Sequence, residues 1–250
     1  MTFCRARAFS CGVSSLLFGP PRSSGVRRIT ASAESEFLAG VNASASAGSC
    51  EVVAISGEVS VQADYAVELG AEDEVLELPW AAHDQGLQYY DLKRHPELLA
   101  EVTEAQATPE LGEFLASINS PASILETAKC DVWSSTDMSP EEDIFAVAVK
   151  FGSYVDLIFS KQFRRFSLMD HEDLTRNLTD LLKRAPEIPA SAEFLIRRCY
   201  YNYDNYRMQD GFYITAYVFG YGDDEQRARK QWAIGLKLVE NAMLQLSRNT

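Results

Sequence analysis

A chain of 250 residues, 46% hydrophobic and 24% charged, is long enough to bury a sizeable core and has the composition of an ordinary globular protein. Its formal charge of −13 is unevenly spread: residues 1–33 hold Arg5, Arg7, Arg22, Arg27 and Arg28 and no acid, so the remainder sets 18 basic against 36 acidic side chains. A body this acidic repels phosphate backbones, which sets nucleic acid aside as a partner, and no apolar run approaches the roughly 18 residues that a membrane span needs.

The first stretch, MTFCRARAFSCGVSSLLFGPPRSSGVRRITASA, is rich in Arg and Ser and free of acid. Two readings stay open for residues 1–48, a disordered tail or an organelle transit peptide. Residues 34–50 remain small and polar, so a single globular α+β domain is expected over 49–250. The five cysteines, at positions 4, 11, 50, 130 and 199, show no CxxC or Cys/His spacing. That argues against a disulfide-built secreted fold and against zinc, and for free thiols in a reducing compartment. A cytoplasmic location is expected, or an organelle if residues 1–33 are a transit peptide.

In chain order, EVVAISGEVSVQADYAVEL and DEVLELPW alternate and are β-branched, which predicts strands between 51 and 80. Pro96 begins a predicted helix with Leu98, Leu99, Val102 and Ala105 on one face. Pro109 begins another, with Leu111, Phe114, Leu115 and Ile118, and NSP at 119–121 stops it. These elements make up an N-terminal region over 49–122. ILETAKCDVWSST then reads as a strand, with Cys130 and Val132 on one face and Asp131 and Trp133 on the other. SPEEDIFAVAVKFGSYVDLIFS satisfies both periods. Ser139, Pro140 and Glu142 form a capping-box start, so a helix is predicted there. DHEDLTRNLTDLLKRAP is a predicted helix capped by Asp170. EFLIRRCYYNY and GFYITAYVFGY are two strands around the turn DNYRMQDG, and DDEQRARKQWAIGLKLVENAMLQLS is a long amphipathic helix.

From Ile124 the predicted order is strand, helix, helix, strand, strand, helix. The expected fold over 123–250 is therefore a ferredoxin-like two-layer sandwich, an antiparallel sheet with helices on one face, to which the N-terminal strands and helices are added. A shift of 84 residues lays CDVWSSTDMSPEE over ITAYVFGYGDDEQ and places Trp133 beside Tyr217.

The densest signal is aromatic: residues 197–225 hold nine aromatic side chains in 29. In the second hairpin strand Phe212, Ile214, Ala216 and Val218 share one side, suited to packing against helices. Tyr213, Tyr217, Phe219 and Tyr221 share the other, with Trp133 joining them. A ladder of this kind is either covered by the N-terminal strands or marks an interface or binding groove. Trp133, Tyr213, Tyr217, Phe219 and Tyr221 are the candidate partner- or ligand-binding residues.

Catalytic signatures are missing. GYGDDE at 220–225 puts acids where a phosphate would sit, and so reads as a helix cap. His83, His95 and His171 have no metal spacing, and His171 is expected in a solvated first turn. No cofactor or metal site is predicted. The expected function is a non-catalytic binding or oligomerising module using its aromatic face, most simply with a second copy of itself. The alternative is a small-molecule-binding protein or enzyme on the same face, with Arg197, Arg198 or Tyr201 as polar contacts. A flat face favours the partner and a concave face with convergent polar groups favours the ligand.

Overall fold

The computed structural model describes residues 27–28, 61–70, 75–82, 87–139, 142, 147–204 and 207–248. The expectations for residues 1–48 and for strands at 51–60 lie outside these residues, apart from Arg27–Arg28. The strands are β1 (Arg27–Arg28), β2 (Gln62–Glu68), β3 (Leu76–Leu78), β4 (Ala81–Ala82), β5 (Leu87–Gln88), β6 (Leu125–Ser135), β7 (Val149–Phe159), β8 (Ala190–Asp204) and β9 (Arg207–Gly222). The helices are α1 (Thr103–Ala107), α2 (Pro109–Ile118), α3 (Leu168–Leu182) and α4 (Glu225–Arg248).

The main sheet runs β1-β2-β8-β9-β7-β6, with β3 also on β8, and β4 and β5 form a small separate ribbon. Alternation predicts the long β8–β9 pair, which extends closer to its turn than the sequence suggests, with Asp204 opposite Arg207. The sheet is mixed rather than purely antiparallel. β2 and β3 lie parallel to β8 along its outer edge, pairing Gln62–Glu68 with Ser191–Arg197 and Leu76–Leu78 with Cys199–Tyr201. This is an α+β architecture with its helices packed on one face, since Phe114, Leu174, Leu178, Trp232, Leu236 and Val239 share one core with Phe151, Leu157, Phe194, Ile196, Ile214 and Val218.

Residues 149–159 are a strand, not the predicted helix, so the order after α2 is β6, β7, α3, β8, β9, α4. The element order on which the ferredoxin-like expectation rested is therefore not the one observed. The capping box itself forms: the Ser139 N–H donates to a Glu142 carboxylate oxygen at 2.6 Å and the Glu142 N–H to the Ser139 carbonyl at 3.0 Å. It closes a turn at that point, and residues 143–146 lie outside the description. β7 is central, and Phe151, Gly152, Ser153, Val155, Asp156, Leu157, Ile158 and Phe159 are buried. A strand covered on both faces carries a near-continuous apolar run, which helical spacing also fits.

Smaller corrections follow from caps. Ser167, not Asp170, caps α3, accepting the Asp170 N–H at 3.2 Å. The helix thus starts earlier and turns His171 inward, where it is fully buried rather than solvated. The predicted helix at 96–105 is a 3-10 turn at Pro96–Glu101 followed by the single turn of α1. α4 begins as predicted, with the Arg227 N–H donating to the Asp224 carboxylate at 2.8 Å. Gly220 and Gly222 serve its packing: a Cβ at Gly220 would lie 2.0 Å from the Trp232 nitrogen, and one at Gly222 2.5 Å from that of Ala228.

Candidate functional site

The sheet face away from the helices divides into three bands. One end is apolar: Leu78, Ala128, Ile158, Cys199, Tyr201 and Tyr213 form a second small core, with Leu76, Trp80, Tyr89 and Phe166 packed on it. The segment after β2 therefore covers this end, as one of the sequence readings allowed. Here Cys199 is buried, and burial pushes its thiol up to about 12.

The opposite end holds four aromatic rings. Trp133 lies 6.0 Å from Phe219 and 6.3 Å from Tyr154, Tyr154 lies 6.0 Å from Tyr217, and Tyr217 stacks on Phe219 at 6.2 Å and 4°. Trp133 is thus set beside Phe219 rather than Tyr217, because β7 runs between β6 and β9. Gly152 pairs with both Trp133 and Phe219, and any Cβ there would strike the Phe219 ring at 2.7 Å. Glycine is what lets the two rings meet over the strand. Trp133, Tyr154, Tyr217 and Phe219 are all half-buried. Such edge-on and stacked pairs add about 1 kcal/mol each beyond the area they bury.

Between these ends lies a polar row, built by register. Glu68 on β2 is opposite Arg197 on β8; Thr215 on β9 is opposite Asp156 on β7; Asp156 is opposite Lys129 on β6. Lys129 reaches this face because the β6–β7 register slips between Thr127 and Lys129. That bulge inserts Ala128, whose carbonyl accepts the Trp80 indole N–H at 2.7 Å. Without the extra residue, Lys129 would point with Thr127 toward the helices.

Asp156 and Thr215 are buried, and the Thr215 hydroxyl donates to the Asp156 carboxylate at 2.7 Å. Arg197 donates from Nε and Nη2 to one Glu68 carboxylate oxygen, each at 2.9 Å, and more weakly from Nη1 to the Thr215 hydroxyl at 3.4 Å. Burial alone would lower the Arg197 pKa, but hydrogen bonding to Tyr217 and Glu68 outweighs it and holds the guanidinium charged. Burial, reinforced by the Asp156 charge, pushes the Tyr154 and Tyr213 hydroxyls above the usual tyrosine range, so both stay protonated.

These groups enclose a depression of about 270 Å³ lined by Glu68, Lys129, Tyr154, Asp156, Arg197 and Thr215, with Tyr213, Tyr217 and Leu76. A second, of about 480 Å³, shares Lys129 and Tyr154 and runs around the β6 edge to Trp80, Leu92, Glu104 and Cys130. Burial pushes the Cys130 thiol up to about 12, which leaves it a poor nucleophile.

The predicted site residues separate on this surface. Tyr217 lines the depression, Trp133 and Phe219 flank it, and Tyr213 is 5% exposed at its floor. Tyr221 is 2% exposed, its hydroxyl hydrogen-bonded to Ser191 at 2.9 Å and Glu142 at 3.0 Å, and so is structural. Of the three proposed polar contacts, Arg197 alone lines the depression. Tyr201 is buried, donating to the Phe212 carbonyl at 2.8 Å, and Arg198 faces Asp210 at 3.5 Å. Sequence reasoning missed Lys129, Tyr154, Asp156 and Glu68. Tyr154 and Asp156 were hidden inside a predicted helix, whereas Lys129 shares the parity of Asp131 and Trp133 and so lay on the predicted face without being singled out. The two-residue alternation of Gly152, Tyr154 and Asp156 was the signal available.

Among the described residues no group of three or more His, Cys, Asp or Glu side chains is placed to hold a metal ion. Nor is any helix among them long and apolar enough to cross a membrane. No protein-family model, curated protein or solved structure matches this chain.

Proposed function

We propose that the chain is a non-catalytic binding module that takes a small polar molecule on its aromatic sheet face. The observation that carries this reading is the convergence of Arg197, Asp156, Thr215 and Lys129 with three tyrosines around one concave depression. A small set of polar groups in an otherwise aromatic hollow is the usual arrangement for fixing the orientation of a ligand. Several of the groups that could move protons are poorly suited to do so. Tyr154 and Tyr213 are held protonated, Arg197 is committed to Glu68, and the thiol around the corner is pushed far above neutral.

A second reading has an observation of its own. Trp133, Tyr154, Tyr217 and Phe219 are half-buried, with Trp133 and Phe219 extending the aromatic surface past the depression that the two tyrosines line, and large aromatic side chains of this kind dominate protein interfaces. On that reading two copies meet face to face over the quartet.

Native mass spectrometry of the full-length chain separates the two. A monomer carrying a small retained mass, lost in Arg197→Met, supports the binding module. An oligomer without added mass, dissociated by the Tyr217→Ser, Phe219→Ser double variant while the fold persists, transfers the function to self-association. A bare monomer that no small molecule stabilises refutes both.

A further inference from the structure

The depression carries both signs of charge in a fixed order across the sheet: Glu68, Arg197, Asp156, Lys129. The first pair is closed by the 2.9 Å ion pair between Arg197 and Glu68. The second is not. Lys129 and Asp156 are register partners on neighbouring strands, yet Lys129 has no ion-pair partner among the described residues. Its ammonium lies 5.6 Å from the centre of the Trp80 ring, on the wall that the two depressions share. Asp156 accepts the Thr215 hydroxyl at 2.7 Å.

Two cations and two carboxylates leave the lining without net charge, and that decides between ligand classes. A simple anion drawn to Lys129 meets Asp156 behind it, and a simple cation drawn to Asp156 meets Lys129. A molecule carrying both signs a few bonds apart satisfies both. Tyr154 adds a protonated hydroxyl and an aromatic ring at the same spot, and Tyr217 a second ring 6.0 Å away.

Resting on the reading of this depression as a ligand site, we infer that its ligand is a small zwitterion, with the ammonium–carboxylate head of a free α-amino acid or a betaine. The carboxylate binds the Lys129 ammonium and the Tyr154 hydroxyl. The ammonium binds Asp156 and packs on the Tyr154 and Tyr217 rings, an arrangement that favours alkylated ammonium groups. The hollow of about 270 Å³ holds such a molecule and is too small for a dinucleotide-sized one.

Isothermal titration of the full-length chain with alanine and glycine betaine, against acetate, tetramethylammonium and glucose as single-sign and uncharged controls, tests this. The expected result is binding of at least one zwitterion, with acetate and tetramethylammonium at least tenfold weaker. Lys129→Met, which removes one charge-assisted hydrogen bond from a half-buried position, is expected to weaken it about ten- to a hundredfold. Tyr154→Phe, which keeps the ring, is expected to weaken it less. Tight binding of acetate or tetramethylammonium alone overturns the inference, and so does zwitterion binding that survives Lys129→Met unchanged. Binding of glucose that Arg197→Met abolishes overturns the zwitterion while leaving the binding module in place. A silent panel with an oligomer in solution overturns both.

Discussion

The two faces of one sheet solve the same burial problem by different means. On the helix side β9 offers Ile214, Ala216 and Val218, which pack into α4 with no polar partner to satisfy. On the other side the same strand offers Tyr213, Thr215, Tyr217 and Phe219, and only Tyr213 at one end is roofed by apolar side chains from the segment after β2. The helix face is closed by small residues fitted to a helix backbone. The other face is left with half-buried rings and a row of charges, which cost stability to desolvate and repay it only through hydrogen bonds. That difference says where the fold is anchored and where it has surface to spare for recognition.

The largest expected effect breaks the closed face. In Gly220→Val the new Cβ would lie 2.0 Å from the Trp232 nitrogen and 2.4 Å from the Ala228 carbonyl oxygen, both helix backbone that cannot step aside alone. Displacing α4 from β9 is expected to cost about 3 kcal/mol or more, measured as the fall in unfolding free energy in urea. If the variant unfolds within about 1 kcal/mol of the wild type, α4 can step away from the strand at little cost and the closed face is not close-packed there.

Next in size is acid. His171 is fully buried between Phe159 and Phe212, with Nδ1 donating to the Ser167 carbonyl at 2.7 Å, and burial lowers its pKa to about 4 from an ordinary 6.5. In the unfolded chain it protonates first, so protons favour unfolding as the pH falls through 6.5, and the loss levels off below about 4. Asp170 and Arg164 are the charged groups that act on it, with opposite signs. Up to about 3 kcal/mol is expected to disappear across that window. The check is urea unfolding at pH 7, 5 and 4 on the wild type and His171→Phe, the variant being expected to show a shallower fall. Equal slopes would place the histidine in water.

Much of the closed face was legible in the sequence. Its residues obey local rules: the stripe of α4, the alternation of β9, the Pro109 start of α2 and the Asp224 cap each form where the pattern puts them. The open face was legible only in part. Alternation alone placed Tyr217, Phe219 and Trp133 on it, but the site they border depends on tertiary facts. β7 had to be a central strand, and its burial on both faces erased the signature that separates strand from helix. Lys129 shared the parity of Trp133, but nothing local marked it as the residue that β7 would set opposite Asp156. β2 had to join β8 in parallel, a long-range pairing with no short-range mark. His171 was misplaced for the opposite reason, a purely local one: Asp170 looked like a cap, and Ser167 three residues earlier was the cap in use.

The open face is expected to be tolerant. Replacing Tyr217 and Phe219 together by Ser removes half-buried rings that stack on each other and leaves α4 untouched. The double variant is expected to lose on the order of 2 kcal/mol, less than a fully buried aromatic truncation, and to keep its cooperative transition. Loss of the transition in far-UV circular dichroism would mean that the quartet is core, and that the two faces are equivalent after all.

The smallest stability effect should come from the polar row, and that is its value as a probe. Arg197 and Glu68 are partly exposed, their side chains at 26% and 31%, so solvent screens their attraction. Arg197→Met removes the ion pair but keeps the aliphatic stem that packs on the sheet, and is expected to cost about 1 kcal/mol or less in urea unfolding. A structural salt bridge would behave differently: stranding the Glu68 carboxylate and the Thr215 hydroxyl would cost several times as much. If the change is nearly silent in stability yet abolishes retention of the small molecule in native mass spectrometry, the charge at this position belongs to recognition and not to the fold. If it destabilises by about 3 kcal/mol with no change in bound mass, the row is scaffolding, and the open face must be read through its aromatic quartet alone.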